Sequence, residues 1–203
     1  MKYPKLRELK EAIKALIKGP YTSRFPFEPH EPPERFRGAP KFYEKDCTGC
    51  TACANVCPPG AITFEDKIDH GKSVRIFTLR YDICIYCGQC QANCLTEKGI
   101  MLSREFDLAT TGKRTDLIET VEKELVVCED CNHIVGPKDQ ILWVARKLGP
   151  LAFSNTTMML FYLQHNALVR VESSSKKKDN SPDRSDRLRI LCPRCRREVV
   201  IKS

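Results

Sequence analysis

Eight of the twelve cysteines fall on one spacing template, used twice within 48 residues. Cys47, Cys50, Cys53 and Cys57 are spaced C-x2-C-x2-C-x3-C and are followed by Pro58; Cys84, Cys87, Cys90 and Cys94 repeat the spacing. Four thiolates so placed are the ligand set of a [4Fe–4S] cluster, and in tandem runs the fourth cysteine of each crosses to the other cluster. The reading puts Cys47, Cys50, Cys53 and Cys94 on one cluster and Cys84, Cys87, Cys90 and Cys57 on the second. Disulfides or unligated core thiols account poorly for a template matched twice. A segment so constrained must wrap short elements round two clusters. The metals then supply much of the folding energy that its few apolar residues cannot.

The remaining four cysteines form two further C-x2-C pairs, Cys128/Cys131 and Cys192/Cys195, so none is left over. That usage suits metal sites in a reducing compartment better than a secreted disulfide scaffold. No secretory signal is read at the N-terminus, and the longest apolar run, Met158 to Leu163, is far short of a membrane span. A cytoplasmic location is expected. The formal charge of +8 overstates the basicity. Each four-thiolate cluster or zinc site carries about −2, so a chain with two clusters and one zinc comes to roughly +2. Charge alone is therefore weak evidence for a nucleic-acid partner.

Three domains are expected in an α+β chain: residues 1–40, 41–118 and 119–203. In the first, residues 2–18 carry Leu6, Leu9, Ile13, Leu16 and Ile17 at helical spacing, with lysines and Arg7 elsewhere, and Gly19-Pro20 ends the run. A cationic amphipathic helix of this kind suits peripheral contact with a membrane or docking beside one; covering the protein's own core is the plainer alternative. Residues 21–40 are proline-rich and aperiodic, as befits an extended arm lying on a partner. In the second domain, Ile62 to Phe64 and Val74 to Leu79 flank a turn at Asp69-His70-Gly71-Lys72 and read as a hairpin. In the third, a helix is expected at about 116–124, then a zinc-ribbon-like module with strands beside both cysteine pairs. Between the pairs come two helices, at about 137–148 and 154–164, and a Ser/Lys/Asp-rich loop, 173–187, expected to be disordered.

A cluster held by four cysteines has no open coordination position, so its role is to accept and pass one electron. Small residues between the ligands let main-chain amides approach sulfur, and Ile62, Ile85 and Ile100 are candidates for excluding water. Cys128, Cys131, Cys192 and Cys195 read as a structural zinc site, with mononuclear iron as the alternative. His133 is either a hydrogen-bond donor to that site or a solvated side chain. No nucleophile–base pair, phosphate loop or flavin motif is found, so no catalytic centre is expected.

Lys14 to Pro20 with Thr22, Phe25-Pro26, Arg35-Phe36-Arg37-Gly38, both cluster runs, Glu105 to Ala109 and Arg114 to Leu117 together resemble the two-cluster ferredoxin-like subunit of respiratory complex I, the 23-kDa type. The C-terminal cysteine pairs resemble the version in formate hydrogenlyase and other group 4 membrane-bound [NiFe]-hydrogenase-type complexes. The resemblance implies a two-cluster bacterial-type ferredoxin fold in a peripheral subunit on the cytoplasmic face of the membrane. Such a subunit relays electrons, from a donor such as soluble ferredoxin, toward a [NiFe]-type large subunit. A small cluster-bearing subunit and membrane subunits would be its other partners. Leu95 departs from the family pattern, standing where proline often follows the last cysteine. Two other readings compete: a free soluble ferredoxin-like carrier, and an iron–sulfur protein touching nucleic acid through its basic C-terminal knuckle. The leading reading expects no nucleic-acid partner.

Overall fold

The computed structural model describes residues 5–68, 72–169 and 189–201; most of the expected turn at 69–72 and all of the loop 173–187 lie outside them. The chain divides between Phe36 and Arg37 into two units. In the first, helix α1 spans Leu6–Lys18. The Glu8 carboxylate accepts from the Lys5 N–H at 3.1 Å, which starts the helix. Gly19, with φ of 79°, ends it by donating to Ala15 O at 2.9 Å. No residue of α1 is buried, and Leu6, Leu16 and Ile17 are 86%, 85% and 80% exposed. Among the described residues no helix is long and apolar enough to cross a membrane.

The second unit holds the cysteine repeat. Strand β1 (Pro40–Phe42) pairs antiparallel with β4 (Ile100–Leu102), which closes the ends of the repeat on each other. Between them lie α2 (Ala52–Asn55), β2 (Ile62–Lys67), β3 (Val74–Arg80) and α3 (Gln89–Ala92). The hairpin of β2 and β3 is formed, with Ile62 opposite Leu79 and Phe64 opposite Phe77. Phe77, Leu79, Ile62, Ile100, Ala61 and Val121 are buried together with Cys53 and Cys90, so the apolar core is built directly against cysteine sulfur. Phe42 and Phe64 each set their ring centroids 6.1 Å from that of Phe77.

The expected helix at 116–124 is instead a strand. After one 3-10 turn at Arg114–Leu117, β5 runs from Ile118 to Val127 and pairs with β3 from Ile118/Arg80 to Glu124/Val74. Its inward residues Glu119, Val121, Lys123 and Leu125 alternate with exposed Thr120, Glu122 and Glu124, the period of a strand with one covered face. β5 then pairs with β6 (Ile134–Pro137). The sheet order is β2-β3-β5-β6, so the expected boundary at 118/119 is crossed by a continuous sheet. Helices α4 (Lys138–Leu148) and α5 (Thr156–His165) follow close to the expected positions. The last segment departs from expectation: Pro193–Ile201 is helix α6, and Val199 to Ile201 are not a strand. Proline at the first helical position has no N–H to lose there, which favours the helix start.

Gly38 is required for space. Its N–H donates to Ser103 O at 3.0 Å, and a β-carbon there would lie 2.3 Å from Glu105 O and 2.7 Å from Ser103 O. Gly38→Ala should therefore part the chain from residues 103–105 and lower stability by about 1–3 kcal/mol, within the usual range for overpacking. A fall in thermal midpoint, with faster proteolysis near Arg37, is the expected measurement.

Candidate metal centres

The two cysteine loops have the same backbone. Gly49 and Tyr86 take equivalent positions with φ of 74° and 52°, as do Thr51 and Gly88 with 65° and 77°. Successive left-handed turns aim main-chain N–H groups into one concavity, the geometry that receives anionic sulfur. The Gly49 amide bonds to Cys47 sulfur, Tyr86 to Cys84, Ala54 to Cys53 and Gln91 to Cys90. Ala61 N–H donates to Cys57 Sγ at 3.2 Å. Cys94 Sγ lies 3.5 Å from the Thr96 hydroxyl, with the amides of Thr96, Ile100 and Gly99 around it. The fourth sulfurs, at Cys57 and Cys94, are thus cradled by the turns that lead into β2 and β4.

The thiols fall into two neighbourhoods that cross the repeat. Cys47 feels the charge of Cys50 and Cys94; Cys84 feels Cys57 and Cys87; Cys90 feels Cys84, Cys87 and Cys57. Cys53 feels Cys47 and Cys50, and across the divide Cys90. A small cavity is lined by Cys57, Cys84, Cys87 and Cys90, with Pro40 and Ile62. Burial first, then neighbouring thiols, push Cys53 up to about 12 and Cys90 up to about 11. Burial also opposes ionisation of Cys94, but the hydroxyl and amides around it outweigh burial and hold it below its ordinary value. Cys47, Cys53, Cys84 and Cys90 are therefore held as thiols until a metal replaces their protons. Crowded sulfur ringed by amide donors is a fit for iron–sulfur ligation. Ile62 and Ile100 are buried beside the sulfurs, as expected of shielding residues, whereas Ile85 is 60% exposed.

The third cysteine group forms where β5 ends. Cys128 N–H donates to His133 O at 2.8 Å, and Asn132 N–H returns to Cys128 O at 3.0 Å, closing a tight knuckle. Cys192 precedes α6 and Cys195 lies in its first turn; Glu129 N–H donating to Ile190 O at 2.9 Å ties the halves together. The sulfurs of Cys128, Cys131, Cys192 and Cys195 all lie within 4.8 Å of one another, with Cys131 and Cys192 at 3.7 Å. A tetrahedral ion with bonds of about 2.3 Å to sulfur sets such edges at about 3.8 Å, so the four fit a closed site. Cys128 is buried, which disfavours its thiolate. Amides of Cys131, Cys192 and Asp130 outweigh that and bring it down to about 7. His133 contributes its main-chain amide to Cys131 sulfur. Arg196 turns into the protein, bonding Arg189 O and, at 3.3 Å, Thr157 Oγ1. That use draws it away from the basic surface on which a nucleic-acid reading relied.

Three residues the sequence did not single out bear on these loops. Arg75 donates Nη1 to Gly49 O at 2.9 Å while its other nitrogens hold Asp66 at 2.6 and 2.8 Å. Lys123 donates to Glu44 O and to Asp139 Oδ2, the latter at 3.1 Å. Glu119 accepts from Phe42 N–H at 3.0 Å and from the Tyr81 hydroxyl. Burial, then this carboxylate, drive Tyr81 far above its ordinary value, so the phenol stays protonated. The alternation along β5 is the one sequence signal that could have found Glu119 and Lys123.

Comparison with known proteins agrees with the cysteine reading. A family described as a 4Fe-4S dicluster domain matches residues 46–98. The chain is 30% identical over 189 residues to formate hydrogenlyase subunit 6 of Escherichia coli, covering 93% of this chain and 94% of that protein. It is 31% identical over 93 residues to NAD(P)H-quinone oxidoreductase subunit I of Gloeobacter violaceus, covering 44% of each. Among solved structures, it is similar to a chain of the membrane-bound sulfane sulfur reductase, an archaeal respiratory membrane complex. Identity there is 30% and the TM-score is 0.41, covering 58% of this chain and 62% of that one.

Proposed function

The chain belongs to the family of two-[4Fe–4S] ferredoxin-like subunits that includes formate hydrogenlyase subunit 6, and on that footing we propose that it relays electrons within a membrane-associated, complex I-related oxidoreductase. The observation that carries this is the match to formate hydrogenlyase subunit 6 over 93% of this chain and 94% of that protein, well beyond the two cluster runs. Bound clusters supply one-electron chemistry with no open coordination site. The protein's part is to hold, insulate and tune them. Cys47, Cys50, Cys53 and Cys94 hold the first cluster; Cys84, Cys87, Cys90 and Cys57 hold the second. Their crossed electrostatic neighbourhoods support this division. Zinc occupies Cys128, Cys131, Cys192 and Cys195, bracing the module against β5, with a single iron ion as the alternative.

The partners we infer are a small cluster-bearing subunit, a [NiFe]-type large subunit and membrane subunits, with soluble ferredoxin as a possible class of donor. The unit up to Phe36 makes the peripheral contact, through the exposed apolar stripe and lysines of α1, on the cytoplasmic face. A free soluble carrier has no use for that stripe.

Cys57→Ser should alter the electron paramagnetic resonance of the cluster held by Cys84, Cys87 and Cys90; damage confined to the other cluster would remove the crossed assignment. Elemental analysis should find one zinc per chain, lost in Cys192→Ser while both clusters remain. Apparent metal affinity of the apo-site should fall more steeply with pH below about 7, where Cys128 must also give up a proton. Gently solubilised membranes should yield the chain together with a [NiFe]-type large subunit by mass spectrometry, and removal of residues 1–36 should release it. Recovery of the intact chain alone from the soluble fraction would favour the free carrier.

A further inference from the structure

The two cysteine loops share a backbone but not a charge environment. β5 runs past both with one inward face, on which Glu119 and Lys123 lie four residues apart, about 13 Å along a strand. Lys123 is 6% exposed. Its ammonium bonds the main chain at Glu44, three residues before Cys47, and its stem packs where a β-carbon on Gly49 would meet it at 3.2 Å. Arg75 clamps the carbonyl of that same Gly49. A planar trans peptide points its N–H opposite its C=O, so the clamp also fixes the Cys50 amide to face away from Arg75.

The carboxylates that balance these cations are Asp66, on Arg75, and Asp139, on Lys123. The Asp139 side chain is 46% exposed, so water screens it more than it screens Lys123. Glu44, Lys45 and Asp46 are exposed. The second loop has the opposite arrangement. Glu119, partly buried, accepts from the hydroxyl of Tyr81, three residues before Cys84, and that hydroxyl oxygen also lies 2.9 Å from Pro40 O beside the second cavity. Charges near it also include Asp82, paired with Arg80 and 4.0 Å from Arg114, and exposed Arg37, which reaches Cys87 O at 3.4 Å.

We propose that the inward face of β5, with Arg75, makes the two clusters unequal: Lys123 and Arg75 favour the extra electron on the cluster of Cys47, Cys50, Cys53 and Cys94, and Glu119 disfavours it on the other. This rests on the two-cluster reading above. The sign follows from charge. Reduction takes a four-thiolate [4Fe–4S] centre from about −2 to −3, so a nearby cation stabilises the reduced form and a nearby anion destabilises it. Lys123, Arg75 and Glu119 are positioning residues, acting on potential without touching sulfur.

The test is an anaerobic redox titration of the full-length, cluster-loaded chain with dithionite, followed by electron paramagnetic resonance. Cys50→Ser identifies the first cluster's signal. Lys123→Met should lower the reduced-to-oxidised ratio of the first cluster about tenfold at fixed ambient potential, a shift of about 59 mV for one electron, and leave the second in place. Lys123→Arg should restore it. Glu119→Gln should raise the second couple, and Asp139→Asn the first. Unshifted potentials in a Lys123→Met protein that keeps both clusters overturn the proposal, as does a Lys123→Arg protein shifted as far as Lys123→Met. If Lys123→Met cannot hold its clusters, Glu119→Gln and Asp139→Asn decide, and no shift in either overturns it. Wild-type chain with other than two [4Fe–4S] clusters by iron and sulfide content would instead remove the cluster reading itself.

Discussion

The ladder between β3 and β5 is the interaction on which the rest of the second unit depends. Through it the cysteine repeat gains a sheet, the buried Val121 and the inward-facing Lys123. The same strand delivers Cys128 to the third cysteine group at its far end. Without that ladder, two-stranded β1–β4 and the β2–β3 hairpin would be small elements with little apolar area between them. A chain whose core contacts are largely with sulfur needs an outside wall, and β5 is that wall.

How far the sequence speaks depends on how local the determinant is. Metal-ligand spacing is local, so every cysteine could be sorted into a run or a pair from its neighbours, and the grouping of Cys128 with Cys192 follows from chemistry despite a 60-residue gap. Strand β5 was not legible in the same way. Ile118, Val121 and Leu125 fit one face of a helix as well as they fit a strand, and the segment's glutamates and lysine suit a helix surface. What decides is β3, whose free edge rewards an extended partner over seven residue pairs. The same cause moves the domain boundary, since a polar linker before residue 114 says nothing about a sheet that continues past it. At the other end, Val199 to Ile201 have strand composition but follow a proline placed to start a helix.

Lys123 was invisible for a different reason. A lysine between two glutamates reads as a solvated face. Its burial arises because the first cysteine loop closes over it, and that contact spans more than seventy residues of sequence. Gly49 records the same crowding from the other side: its φ could be met by a costlier residue, as Tyr86 does, but a β-carbon there would lie only 3.1 Å from Pro137 and 3.2 Å from Lys123. The repeat is thus symmetric in backbone and asymmetric in what covers it.

A ten-residue strand is about 34 Å long, and β5 stays regular until the register shift at Val126/Val127 beside its end. Because β5 reaches the first cysteine loop through Lys123, reaches Tyr81 before the second through Glu119, and ends at the third cysteine group, it works as a ruler among the three. Tunnelling rates fall steeply with separation, so a relay of this design keeps its spacing by being stiff rather than by opening and closing. Regulation of such a chain has to enter through its ends, by what docks there, and not through a hinge in its middle.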